Sequence, residues 1–223
     1  MKAIILTDDT KCQLPSHNKW TNRFGCGSGI AKKSEILIQL KNRNTTIPGN
    51  DLENEIQYRN VLHEFLRPAK NMFGGRFSEV RAFAAELSKI TPVEILIISG
   101  RYGLINDSTE IIPYDYSIQN NTQLKNIDEN NQIFSKVKDR LSDSTHLIVL
   151  LPKFYIEYLI KTHFFETLSS KIKIIIVTSK GLQTQLNQYE NVIIFERKGV
   201  ARLRSQNCDQ ILSLIQNHQI KIS

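Results

Sequence analysis

Cysteine is scarce in this sequence, with three among 223 residues: Cys12, Cys26 and Cys208. An odd number in a chain with no export signal excludes a disulfide framework as the main support of the fold. Long apolar runs are missing too, and no window approaches the roughly 18 apolar residues that a membrane span requires. The apolar run at the N-terminus is too short for a secretory signal, so the expectation is a cytoplasmic protein with no membrane partner. Nowhere do five or more Lys and Arg residues follow one another, which removes a basic tail. Acidic residues are in deficit, 22 Asp and Glu against 29 Lys and Arg, giving a formal charge of +7 and a pI near 9.3. That excess biases the surface toward an anionic partner such as nucleic acid or a phosphorylated ligand, without identifying one.

What is present is ordinary for a globular protein: 40% hydrophobic and 23% charged residues, in a length that suits one domain over residues 1–223. Apolar, β-branched runs at 2–7, 93–99, 146–151, 173–178 and 192–195 predict strands buried on both faces. Between them the spacing predicts helices over 53–66, 76–90, 123–141, 153–168, 181–189 and 207–217, the clearest carrying Phe77, Val80, Phe83, Ala84 and Leu87 on one face. Strands alternating with helices imply crossover connections. The expected fold is therefore a three-layer α/β sandwich around a mainly parallel sheet of about five strands. Residues 8–50, with Pro15 and Pro48 and a single regular stretch at 36–40, form an irregular insertion. In such sheets ligands sit beyond the carboxyl ends of the strands. The residues leaving the strands are Asp8-Asp9, Gly100 to Gly103, Pro152-Lys153, Ser179 to Gly181 and Glu196 to Gly199.

The most informative stretch is Ser99-Gly100-Arg101-Tyr102-Gly103-Leu104, followed after a polar spacer by Pro113-Tyr114-Asp115. Gly100 and Gly103 let the backbone turn and approach a ligand. Arg101 offers a planar fork of donors suited to phosphate or a base edge, and Tyr102 a face on which a base can stack. Asp115, at a proline-led turn between Tyr114 and Tyr116, is an acid/base candidate. Ser99, Gly100, Gly103 and Arg76 are the substrate-binding candidates, and Arg101 and Asp115 are expected to face one cavity. The competing reading is that the loop is only a strand exit and that Arg101 and Asp115 pair structurally. Lys153, Lys198, Arg202 and Arg204 lie near strand ends and can hold phosphates, against the plainer reading of a solvated charged surface.

Cys12, His17 and Cys26, with Cys208 as a fourth, carry thiolate and imidazole ligands that would suit zinc, although Cys-x4-His-x8-Cys matches no established finger spacing. Gly25-Cys26-Gly27-Ser28-Gly29 lacks the Gly-Lys-Ser/Thr ending of a phosphate loop. His63, His146, His163 and His218 fall within helical or strand patterns and receive no role.

Residues 67–85, with Pro68-Ala69, Phe73, Phe77 and Arg81-Ala82, combine with the two motifs above into an ordered pattern that resembles the DUF6884 family and, more distantly, the YaaA (DUF328) proteins. The likeness covers roughly residues 62–118, with a fainter echo in Gly199 to Arg204. Gly100-Arg101 departs from the Ala-Lys of that family, and the Cys-Lys-Lys signal after its first strand is displaced or absent here. The resemblance implies an enzyme acting on modified guanine in DNA, hydrating the nitrile of 7-cyano-7-deazaguanine to the amide, in association with other DNA-modification proteins. The alternatives are a non-enzymatic YaaA-like DNA-binding protein and a nucleoside- or nucleotide-cleaving hydrolase. Nitrile hydration needs a base for water and a donor for the nitrogen. On this reading Asp115 is the base and Arg101, Tyr102 or Tyr114 the donor, in a pocket that receives a flipped base. Cys26, between glycines, is an alternative nucleophile that can add to the nitrile.

Overall fold

A computed structural model describes residues 2–10, 13, 34–197, 199 and 202–220. The chain enters through β1 (Ala3–Asp8), then α1 (Ser34–Asn42), α2 (Glu55–Val61), β2 (Arg67–Pro68), α3 (Ala69–Met72) and α4 (Phe77–Leu87). It continues through β3 (Val93–Ser99), β4 (Gly103–Asn106), β5 (Glu110–Ile111), α5 (Asn121–Asn131) and α6 (Ile133–Arg140). The last third is β6 (His146–Leu150), α7 (Lys153–Lys161), β7 (Lys173–Thr178), α8 (Gln183–Leu186), β8 (Val192–Glu196) and α9 (Ser205–Ile220).

The main sheet has six strands in the order β4-β3-β1-β6-β7-β8, parallel throughout except for β4. The five apolar runs of the sequence are its five parallel strands. The sixth was hidden because it is short and pairs back on β3 through the tight Gly100 to Tyr102 turn, with Ser99 opposite Gly103. Gly103 has φ +70° and meets Asn131, whose Cβ lies 3.1 Å from where a side chain would begin. Both facts demand glycine there.

The three layers follow from strand alternation. Ile4, Leu6, Leu147, Val149, Ile174 and Ile176 face one core, closed by Leu124, Phe134, Val137, Ile156 and Leu159 from α5, α6 and α7. Ala3, Ile5, Ile148, Leu150, Ile175 and Val177 face the other, closed by Phe77, Val80, Phe83 and Leu87 of α4 and by Ile211 and Ile215 of α9. Both faces being covered, the strands carry apolar residues without polar alternation. The helix expected over 123–141 is broken in two: Gln132 takes a left-handed φ of +52° between α5 and α6. Asp128 Oδ1 then accepts the Phe134 amide at 3.1 Å, capping α6.

A third, smaller core joins Leu40, Tyr58, Val61 and Leu62 to Ile112. It makes residues 34–66 a cap seated on the loop that follows β5. The single regular stretch expected at 36–40 within the irregular insertion is the helix Ser34–Asn42. Taken in chain order the parallel strands run 2-1-3-4-5, so β1 lies between a strand reached in one direction (β3) and one reached in the other (β6). The crevice beyond β1 is the topological switch point where such sheets place ligands.

Candidate functional site

Asp8 and Asp9 leave β1 at that crevice, and Asp9 is 7% exposed. Its Oδ2 accepts the Gly100 amide at 2.9 Å and the Tyr114 hydroxyl at 2.6 Å. Ser99 Oγ lies 2.7 Å from Tyr114 Oη. Since the one phenolic proton goes to Asp9, Ser99 donates to Tyr114, giving a hydroxyl chain that ends on the carboxylate. Gln13 fixes this tyrosine from both sides, its Oε1 accepting the Tyr114 amide at 2.8 Å and its Nε2 donating to the Tyr114 carbonyl at 2.7 Å. Gly100 passes close beneath the following loop, where a Cβ would stand 2.9 Å from Tyr116 Cδ1 and 3.1 Å from Ser117 Cα. Glycine is what lets its amide reach Asp9.

Burial pushes the Asp9 carboxyl up to about 7, against the hydrogen bonds from Tyr114 and Gly100 that favour its charged form. The neighbouring Asp8 charge adds to the rise and Arg202 opposes it. Asp8 is raised as well, chiefly by burial and in spite of Arg202. Burial, with the charge of Asp9 beside it, holds Tyr114 well above the ordinary phenol range, so it stays a donor. A carboxyl that changes protonation near neutral pH, joined to two hydroxyls that relay protons, is suited to general acid and base chemistry.

Arg202 packs against the end of β1 and is 7% exposed. Its Nη1 donates to Thr7 Oγ1 and, at 2.7 Å, to the Asp8 carbonyl. Its Nη2 donates to the Asp9 carbonyl at 3.0 Å and lies 2.8 Å from Asp8 Oδ1. That last contact is an ion pair without an aligned N–H, so Asp8 Oδ1 gains charge neutralisation and no hydrogen bond from it. Arg202, expected to reach phosphates from the surface, instead ties its own loop to the end of β1.

Arg101 departs from expectation in the same way. Its side chain is fully buried, with Nη1 donating to the Gly49 carbonyl at 2.5 Å and to Asp51 Oδ1 at 3.0 Å. Nη2 donates to Glu55 Oε2 at 2.8 Å, and the guanidinium lies 5.2 Å and 5.5 Å from the ring centres of Tyr58 and Tyr102. Its fork is filled by the cap, not open to a ligand. For Asp51, burial alone would raise the carboxyl, but bonds from Tyr58, Asn54, the Gly49 amide and Arg101 bring it down to about 2. Tyr102 belongs to this latch, donating to Glu55 Oε1 at 2.9 Å. Asp115 is exposed, and its amide donates to the Pro48 carbonyl at 2.8 Å. The expected pairing of Arg101 and Asp115 across one cavity is replaced by two separate contacts to the cap, at Gly49 and Pro48.

The expected site residues thus divide. Ser99, Gly100 and Tyr114 converge on Asp9, while Gly103 turns the chain into β4. Arg76 lies exposed on the turn leading into α4, 3.9 Å from Glu79. Lys153 opens α7 and pairs with Glu157 at 3.3 Å, and Arg204 is exposed ahead of α9. Cys12, His17, Cys26 and Lys198 lie outside the described residues. Cys208 is half-buried on α9, its thiol raised first by burial. Among the described residues no three His, Cys, Asp or Glu side chains form a group able to hold a metal, and no helix is long and apolar enough to cross a membrane. Asp9 carried one signal in the sequence, its place directly after the first buried strand; Gln13 carried none.

A family model described as a family of unknown function (DUF6884) matches residues 63–190, more than half of the chain. No curated protein matches the sequence. The matched span supplies Ser99, Gly100 and Tyr114, whereas Asp8, Asp9 and Arg202 come from either side of it.

Proposed function

Because the chain belongs to the DUF6884 family, a family of unknown function, we propose its activity from the site itself: acid and base catalysis on a base of DNA, with Asp9 as the proton-transferring group. The observation that carries this reading is the buried Asp9 carboxyl at the end of β1, held by Tyr114 and the Gly100 amide, where burial pushes it up to about 7. The net charge of +7 and the exposed Arg76, Lys153 and Arg204 favour a polyanion over a neutral metabolite.

The specific reaction we propose is hydration of the nitrile of 7-cyano-7-deazaguanine, the conversion suggested by likeness to DpdC, a component of a bacterial DNA modification system. Ionised Asp9 takes one proton from water as the hydroxide oxygen bonds to the nitrile carbon, and the nitrogen takes a proton from the hydroxyl chain. Asp9 passes its newly gained proton back through Tyr114 to Ser99, so that the chain is refilled and Asp9 is ionised again. The imidic acid so formed shifts its proton from oxygen to nitrogen and becomes the amide. Asp115, exposed and bonded through its amide to the Pro48 carbonyl, is replaced as the base by Asp9. A second reading, cleavage of the N-glycosidic bond, is favoured by one observation: two adjacent carboxylates, Asp8 and Asp9, stand at the switch point.

The test is to incubate the protein with DNA containing the cyano base, digest it to nucleosides and weigh the products. The expected product is a nucleoside heavier by one water. Free base in the supernatant would replace the first reading by the second. Intact DNA, bound in a salt-sensitive manner, would leave a DNA-binding protein without turnover.

A further inference from the structure

The segment that carries Arg202 is held by a residue 123 positions earlier in the chain. Glu79, in the first turn of α4, accepts the backbone amides of Arg202 and Leu203 on one oxygen, at 2.7 Å and 3.0 Å. Its other oxygen lies 3.9 Å from Arg76. Two amides gathered on one carboxylate oxygen fix the direction of the chain at position 202. Leu203, 4% exposed, anchors the same point in the core against α4 and α9. From there the guanidinium reaches Thr7, Asp8 and Asp9 at the end of β1.

We propose that Glu79 is a positioning residue of the Asp9 site: by holding the 202–203 amides it aims Arg202 at the end of β1 and sets the positive charge that Asp9 meets. This rests on Asp9 being the proton-transferring group. The other groups facing that carboxyl are Asp8 on β1, Tyr114 on the loop after β5 and Tyr155 on α7. Arg197, beyond β8, acts on Asp8 and Arg202, with Arg76 and Glu79 around it. Of these, Arg202 is the cation that favours ionised Asp9. Releasing it therefore raises the Asp9 midpoint. Removing the negative charge of Glu79 works in the opposite direction, so the two effects can be separated.

The experiment is a carboxyl-carbon NMR titration of the full-length protein labelled at aspartate, comparing wild type with Glu79→Ala, Glu79→Gln and Arg202→Met. Glu79→Ala, which loses both amide contacts, is expected to raise the Asp9 midpoint by roughly half to one pH unit. Glu79→Gln keeps an oxygen for the amides and loses the charge, so its midpoint stays level or falls slightly. Arg202→Met raises the midpoint further than Glu79→Ala. An unmoved midpoint in both Glu79→Ala and Arg202→Met overturns the inference, as does an equal rise in Glu79→Gln. If Arg202→Met does not fold, Arg202→Lys, which keeps the charge but not the fork, takes its place with a smaller rise expected. Differences between variants judge this inference, and turnover on DNA judges the proposed function, so the two fail separately.

Discussion

If the proposed nitrile hydration is the activity, Asp9→Asn is expected to lower turnover on the cyano-base DNA by about 10²–10⁴-fold, the usual contribution of a positioned acid or base, and to leave DNA affinity close to that of the wild type. The carboxamide keeps the shape, and its oxygen can still accept from Tyr114 and Gly100, so the loss is chemical and not structural. Comparing kcat with the dissociation constant of the complex makes the distinction, because removal of a group acting only in the transition state moves kcat alone. The same substitution has a thermodynamic signature. Asp9 is raised from 3.8 to about 7, so between those values the folded protein holds a proton that the unfolded chain releases. Stability is therefore fully present below about pH 4 and declines as the pH climbs through 7, by roughly 4 kcal/mol at most. Asp9→Asn removes that slope. At pH 8 the variant is more stable than wild type by up to roughly 4 kcal/mol, and near pH 4 the difference vanishes, as urea unfolding at the two pH values would read out. A site that loses stability to keep an uncomfortable carboxylate is a familiar feature of catalysis.

Arg101→Ala acts on stability instead. The guanidinium is fully enclosed and bonded to Gly49, Asp51 and Glu55, so its loss takes from Asp51 and Glu55 the cation they share at the base of the cap. Breaking a buried ion pair from one side costs about 3–5 kcal/mol. The urea midpoint is expected to fall accordingly, while Asp51, still bonded by Tyr58, Asn54 and the Gly49 amide, rises only slightly from about 2. Arg101→Lys recovers little, because one ammonium cannot serve three acceptors arranged around a planar fork. A variant with unchanged stability would mean that the cap is held by its apolar core around Leu40, Tyr58 and Ile112 and not by the latch.

These two residues also show where the sequence was transparent and where it was not. Strands buried on both faces announce themselves by unbroken apolar runs, and the five parallel strands carry that signature. Ser99, Gly100 and Tyr114 were legible as candidates because a serine, a glycine and a proline-led tyrosine near one strand end are an unusual combination, and the fold brings them together around Asp9. Arg101 misled for a physical reason: an arginine in a glycine turn reads as an open fork unless its acceptors are visible, and Asp51 and Glu55 lie 50 and 46 residues upstream. Arg202 misled likewise, since the acceptors for its guanidinium are the end of β1, at the opposite end of the chain. Asp9 was visible as a strand exit, yet nothing local marks it. Its character comes from burial beneath Tyr114, a contact across 105 residues.

The account depends on Asp9 holding its proton near neutrality, and one measurement reaches that directly: the carboxyl-carbon NMR midpoint of Asp9 in the unmodified protein, assigned by its disappearance in Asp9→Asn. A midpoint close to 7 is the predicted result. A midpoint near 4, the value of a carboxylate in water, would contradict the assignment of Asp9 as the acid and base of this site.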